Sequence, residues 1–123
     1  MSTDDNGAQQ RRFYRASVNF PVTIAVTGEA RIILGNAVDL SGGGVRVETR
    51  SDLAKGGQLT LRFKLSESSA EMAVRGHMVL SFYDGSKQQF AHGIAFTQIS
   101  PADQEAIVHF IHELQRRGIK DNR

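Results

Sequence analysis

The chain of 123 residues contains no cysteine, which excludes disulfides and thiolate metal sites and leaves nothing to argue for an oxidising compartment. It also has no apolar run approaching the roughly 20 residues of a membrane span, so membrane insertion is not expected. Its first residues, Met1-Ser2-Thr3-Asp4-Asp5, are polar and acidic where a secretory signal would be basic and then apolar. A soluble, cytoplasmic protein is the expectation. No large excess of charge is present either: 15 Lys and Arg against 13 Asp and Glu leave +2, too little in bulk to imply a polyanionic partner. Repeats and low-complexity segments are missing too. A chain of this length is expected to form one domain with a modest core that needs no staples.

What is present is organised around Asp39-Leu40-Ser41-Gly42-Gly43-Gly44, where short polar residues and three consecutive glycines interrupt alternating apolar sequence. Glycine loses the most backbone entropy on ordering, so three together imply a tight path or a surface that something approaches closely. A second feature stands upstream in Arg11-Arg12-Phe13-Tyr14-Arg15, a cluster of cations without local carboxylates.

Residues 1–10 are polar and aperiodic and are expected to form a flexible arm. Val18, Phe20, Val22, Ile24 and Val26 then follow a period of two, the mark of a half-buried strand, with Pro21 suiting an edge or a strand start. After a turn at Thr27-Gly28-Glu29, Ile32, Leu34 and Val38 carry a second strand to Asp39. Beyond the glycines, Val45, Val47 and Thr49 point one way and Arg46, Glu48 and Arg50 the other. These two strands either pair around the turn or belong to different layers of a barrel. Lys55-Gly56-Gly57 makes the next break. Leu59, Leu61, Phe63 and Leu65 form the cleanest alternation, and Met72, Val74, Met78, Leu80 and Phe82 stay in phase across Gly76. Asp84-Gly85 signals a hairpin, and the last strand carries Phe90, Ile94 and Phe96.

The period then changes. Ser100-Pro101-Ala102-Asp103 supplies an N-cap, a proline at the first helical position and an early acid, and Ile107, Phe110, Ile111 and Leu114 follow at helical spacing. A helix over about 101–117 is predicted, closed by Arg116, Arg117 and Gly118, with a tail at 119–123. Six short antiparallel strands and one helix predict a mainly β fold over 11–118: a small six-stranded antiparallel barrel whose helix plugs an open end or covers a seam.

Each constellation has an ordinary reading when taken alone: Arg11, Arg12 and Arg15 as a solvated lead-in, and Asp39 to Gly44 as an Asx-type turn. Together, Arg11-x-x-x-Arg15 on an arm and Asp39-x-Ser41-x-x-Gly44 between the second and third strands of a small barrel resemble the PilZ domain, a bacterial receptor for cyclic di-GMP. The resemblance covers essentially the whole chain and extends to His92-Gly93-Ile94-Ala95-Phe96, which is similar to the family's last-strand signature. It implies a cyclic di-GMP site made of Arg11, Arg12, Arg15, Asp39, Ser41, Gly43 and Gly44. Guanidinium groups can pair bidentately with phosphate or with guanine O6 and N7, or stack on a base. A carboxylate can accept from guanine N1 or N2, and a serine hydroxyl can bond a base edge or a phosphate. Two departures from the family pattern stand out. Gln10, neither bulky apolar nor basic, precedes the first motif arginine, and the tryptophan that relatives often carry near the end of the fifth strand is replaced here by Ser81, Phe82 and Tyr83. Tyr83 is a candidate base-stacking partner on that analogy.

No catalytic constellation is present. Ser41 lacks a Gly-x-Ser-x-Gly elbow, and His109, His112 and Glu113, although at a spacing that can ligate a metal, have no second ligand cluster. The expectation is a non-enzymatic, stand-alone receptor without cofactor or metal that binds cyclic di-GMP and then engages or releases a protein target. One alternative keeps the fold as a protein-interaction module without the ligand. Another is a small barrel binding single-stranded nucleic acid; this is disfavoured because Phe20, Phe63, Phe82, Phe90 and Phe96 fall largely in phase with core residues and leave few stacking platforms.

Overall fold

Each run of period two becomes a strand in the computed structural model of the protein, which describes residues 14–53 and 57–121, with side chains through residue 117. The expected arm at 1–10, Gln10, the arginines Arg11 and Arg12, and Lys55-Gly56 of the third break lie outside the described residues. The strands are β1 (Ala16–Val26), β2 (Ile32–Ser41), β3 (Gly44–Thr49), β4 (Gln58–Phe63), β5 (Met72–Asp84) and β6 (Gln89–Gln98), followed by helix α1 (Pro101–Asp121). All pairings are antiparallel, and the order β1-β2-β3-β6-β5-β4 closes on itself through β1 and β4. A closed ring leaves no seam to cover, so of the two tasks expected of the helix only the open end remains.

The helix starts as its sequence dictates. Ser100 Oγ accepts from the Asp103 backbone N–H at 3.1 Å, and Pro101 occupies the first helical position, where a missing N–H costs nothing. Its Ile107 and Ile111 are buried in the same core as Val22, Ile24, Leu40, Val47, Leu59, Leu61 and Val74. Each such side chain contributes about 1.5 to 3 kcal/mol through removal from water. The helix does not stop at Gly118 but runs through it to Asp121. Glycine inside a helix costs about 1 kcal/mol relative to alanine and is no obligatory terminator. No helix among the described residues is long and apolar enough to cross a membrane.

Two strands present faces other than those read from their apolar pattern. In β2 the core takes Ile33, Ala37 and Leu40, while Ile32 and Leu34 point outward, Leu34 being 77% exposed. The run Ile32-Ile33-Leu34 fits either phase, and an irregularity between Ala37 and Asp39 in the pairing with β3 brings Leu40 back to the interior. In β5, Met72, Val74 and Met78 are buried as expected, but the register shifts between Met78 and Leu80. The shift reverses the alternation, so Leu80 and Phe82, expected in the core, are exposed instead.

That reversal turns Ser81 toward His92, which is 0% exposed. Thr49 Oγ1 donates to the Ser51 carbonyl at 2.6 Å and therefore accepts from His92 Nε2 at 2.9 Å; the Ser81 hydroxyl lies 3.0 Å from Nδ1. Nε2 therefore carries a proton, and in the neutral imidazole that burial favours, Ser81 donates to Nδ1. Burial pushes the His92 pKa below its ordinary value, against a smaller opposing pull from Asp52. The unfolded chain takes up a proton near the ordinary histidine pKa of about 6.5, whereas the folded chain resists it, so the His92 contribution to stability is complete above that pH and is lost as pH falls below it. Urea unfolding between pH 8 and pH 5 is expected to show this decline in the wild type and a flatter profile in His92→Gln; equal slopes would remove His92 as the cause.

Candidate functional site

The pairing of β2 with β3 places Ser41 opposite Gly44, Leu40 opposite Val45 and Asp39 opposite Arg46. The glycine stretch is therefore a tight hairpin turn, which decides between the two paths that the sequence left open. Ser41 Oγ accepts from the Gly43 N–H at 3.2 Å and donates to the Gly44 carbonyl at 3.4 Å. The turn is anchored from outside as well: Phe96 N–H donates to Gly43 O at 2.9 Å, and Gln104 Nε2 donates to Gly42 O at 3.0 Å. Gly44 is demanded by the neighbouring strand, because a Cβ there would stand 2.5 Å from the carbonyl oxygen of Ile94 on β6.

Outside this turn lies a cleft of about 280 Å³. Small residues, Gly44, Gly93 and Ala95, keep its floor low, and Val79 and Leu80 of β5 supply an apolar side. Across the cleft mouth, Arg15 Nη1 donates to Asp39 Oδ2 at 3.3 Å, with the Arg15 side chain 77% exposed. An ion pair so open to water contributes at most about 1 kcal/mol, so the guanidinium can be recruited elsewhere at little cost. A second guanidinium, that of Arg46, lines the same cleft and holds its Cζ 5.5 Å from the ring centroid of Phe82. Two cations, one carboxylate and a shallow floor beside exposed apolar side chains suit a ligand that is both anionic and flat.

Arg15, Asp39, Ser41, Gly43 and Gly44 thus line one cleft, whereas Arg11 and Arg12 lie outside the described residues. Tyr83 does not line it. Its ring packs edge-on to Phe90 at 5.1 Å, and the register shift in β5 turns Leu80 and Phe82 to the other face. Sequence reasoning passed over Arg46, although its spacing of two from Gly44 on an alternating strand places both on one face. On α1, Glu113 is held by Arg116 Nη2 at 2.6 and 2.7 Å, a bond that draws its carboxyl below the usual range, and the His112 ring lies 6.0 Å from that of Tyr14. Among the described residues no three His, Cys, Asp or Glu side chains cluster as metal ligands do. A larger groove of about 560 Å³, beside Ile32, Leu34 and Arg50, contains no residue of either motif.

A family model described as "PilZ domain" matches residues 9–113. Among solved structures, the fold is shared with the Bacillus subtilis inhibitor of motility MotI/DgrA, at 20% identity and a TM-score of 0.76 over 92% of this chain and 53% of that one. It is shared also with the PilZ domain of YcgR from Escherichia coli, described with c-di-GMP, at 15% identity and 0.68 over 93% of this chain and 98% of that one. A third is the PlzA protein of Borreliella burgdorferi, described in complex with c-di-GMP, at 15% and 0.59 over 98% and 57%. The chain therefore spans about half the length of MotI/DgrA and nearly all of the isolated YcgR domain. A comparison with curated proteins finds no match.

The two glycines of the cleft floor should respond differently to a methyl group. Gly44→Ala forces β3 from β6 and is expected to destabilise by at least about 2 kcal/mol. Gly93→Ala has as its nearest contact Leu80 Cβ at 3.3 Å, which a strand shift of a few tenths of an ångström relieves, and it is expected to cost clearly less than Gly44→Ala. Thermal unfolding of the two variants checks the contrast; equal losses would refute the assignment of Gly44 to strand contact.

Proposed function

Because the chain belongs to the PilZ domain family, we propose that it is a cytoplasmic receptor for cyclic di-GMP, bound in the cleft between Arg15 and the Asp39–Gly44 turn. The observation that carries this reading is the meeting, 3.3 Å apart at one cleft, of the arginine and the aspartate from two motifs that are 24 residues apart in sequence. The likeness to a YcgR domain described with the same dinucleotide supports it.

Arg11 and Arg15 pair with phosphate oxygens or guanine O6 and N7, with Arg12 as a further guanidinium, while Asp39 accepts from guanine N1 or N2. Asp39 then exchanges its weak pair with Arg15 for base donors. Ser41 has its hydroxyl engaged with Gly43 and Gly44, so its contribution is to hold the turn. Gly43 and Gly44 keep the surface low enough for the ligand to lie on it. Arg46 and Phe82 extend the platform toward β5. The ligand, bridging residues 11–15 and the β2–β3 turn, changes the exposed surface, and that change engages or releases a protein target. The ligand is a signal and is expected to leave unchanged, the carboxylate of the cleft, Asp39, being engaged by the base donors.

Calorimetric titration with cyclic di-GMP tests the reading and reports stoichiometry at the same time. Arg11→Ala and Arg15→Ala are each expected to remove a charge-assisted contact of about 1.5 to 3 kcal/mol, a loss of roughly 10- to 150-fold in affinity. Lysine at either position is expected to restore only part of it, because an ammonium lacks the bidentate fork. Unchanged affinity in both alanine variants would end this assignment, as would salt-sensitive binding of any oligonucleotide in place of the dinucleotide.

Two further measurements follow from the mechanism. Trypsin cleavage after Arg11, Arg12 and Arg15 is expected to slow when saturating ligand covers these residues, and an unchanged rate would move the signal elsewhere. Chromatography after prolonged incubation is expected to return intact dinucleotide. Linear product or GMP from pure protein would show an enzyme instead.

A further inference from the structure

The cleft has two halves of different origin, the residues that lead into β1 and the β2–β3 turn, and α1 is fastened to both. At one end of the helix Gln104 Nε2 donates to Gly42 O at 3.0 Å. Toward the other end Gln115 Nε2 donates to Arg15 O at 3.3 Å, and the His112 ring lies 6.0 Å from that of Tyr14. Gln104 and Gln115 are eleven residues apart, which is about three helical turns and about 16 Å, so they project from one side of the helix. Ile107 and Ile111 lie between them on that side and are buried in the barrel core. A helix seated by its own apolar stripe is thus tied at two points along its length to the two parts of the cleft that sequence keeps apart.

The direct link across the cleft is a single contact between two side chains; the Gln115 bond is as long and as exposed, but it hangs from a helix that Ile107 and Ile111 seat in the core. Arg15 and Asp39 meet in a solvent-exposed pair, which sets no distance firmly. A bidentate guanidinium contact, by contrast, tolerates misplacement of only about 0.5 Å. We propose that α1 is the splint of the site: Gln104 and Gln115 are positioning residues that set the spacing between Arg15 and the Asp39–Gly44 turn, and occupancy of the cleft is felt along α1. This rests on the reading of the cleft as the dinucleotide site. The second clause follows from linkage, since a ligand that needs both halves in place must tighten both attachments by as much as they favour the ligand.

Gln104→Met and Gln115→Met keep chain length and bulk while removing the donor, and Glu105→Gln on an exposed position of α1 serves as the control. In titrations with cyclic di-GMP each methionine variant is expected to lose about three- to tenfold in affinity. The double variant is expected to lose no more than one single does, because a splint untied at either end no longer sets the spacing; independent contacts would multiply instead. Melting temperatures stay within a few degrees, and the control binds as the wild type does. Saturating ligand slows amide exchange along α1 in the wild type and not in the variants. Unchanged affinity in both single variants, multiplying losses in the double, or α1 exchange indifferent to ligand would each overturn the proposal.

The free protein separates this idea from the functional reading. Without ligand, Gln115→Met is expected to quicken amide exchange at the Ser41–Gly44 turn, which Gln115 does not touch. If the wild type fails to bind cyclic di-GMP but this remote effect is present, the functional reading falls and the splint stands. If the wild type binds and the turn is indifferent to Gln115→Met, the splint falls and the functional reading stands.

Discussion

At Gly44 the third and sixth strands come so close that a single methyl group would stand 2.5 Å from the carbonyl oxygen of Ile94. The rest of the architecture follows from that approach. It lets β3 pair with β6 along Gly44–Thr49, which joins the β1–β2–β3 half of the ring to the β4–β5–β6 half. It brings Phe96 N–H onto Gly43 O, so the turn is held from β6 as well as by Ser41. It also sets Gly44, Gly93 and Ala95 side by side as a floor without bulk. The surface open to a ligand is therefore a by-product of strand closure, and the same glycine serves both.

Around this fixed point the register shifts decide what faces water. In β5 the shift between Met78 and Leu80 turns Ser81 inward to His92 and Leu80 and Phe82 outward to the cleft side. Interior polarity and exterior apolarity thus have one cause. His92, fully buried and bonded at both ring nitrogens, links β6 to β3 through Thr49 and to β5 through Ser81. A proton added to this ring would place a charge in the interior, which is why the protonation state of one imidazole matters to the whole barrel.

The chemistry of the cleft is set on that frame by loosely held charges. Arg15 and Asp39 meet at 3.3 Å in an exposed pair, and Arg46 rests against Phe82. None of these groups is locked by burial, so an anionic ligand can recruit them without dismantling the core. The helix lies behind both halves, bonded to Gly42 O and to Arg15 O, and so links the two sides of the cleft through the core.

Sequence by itself determined the elements and named candidates for the site. The period of two in β1, β3 and β4 and the Ser100-Pro101 start of α1 are local signals, because alternation and capping depend only on near neighbours. The motif residues Arg15, Asp39, Ser41, Gly43 and Gly44 are named through the family resemblance that their spacing carries, and the structure brings them to one cleft. Tertiary structure decided the rest. The outward turn of Leu34 and Phe82 depends on register shifts against a partner strand, and an all-apolar run such as Ile32-Ile33-Leu34 is blind to phase. The need for glycine at 44 comes from a backbone 50 residues away in β6, and the tie from Gln115 to Arg15 O spans 100 residues. A glutamine on a helix carries no local mark of the carbonyl it will meet; only the closing of the barrel beneath it supplies one.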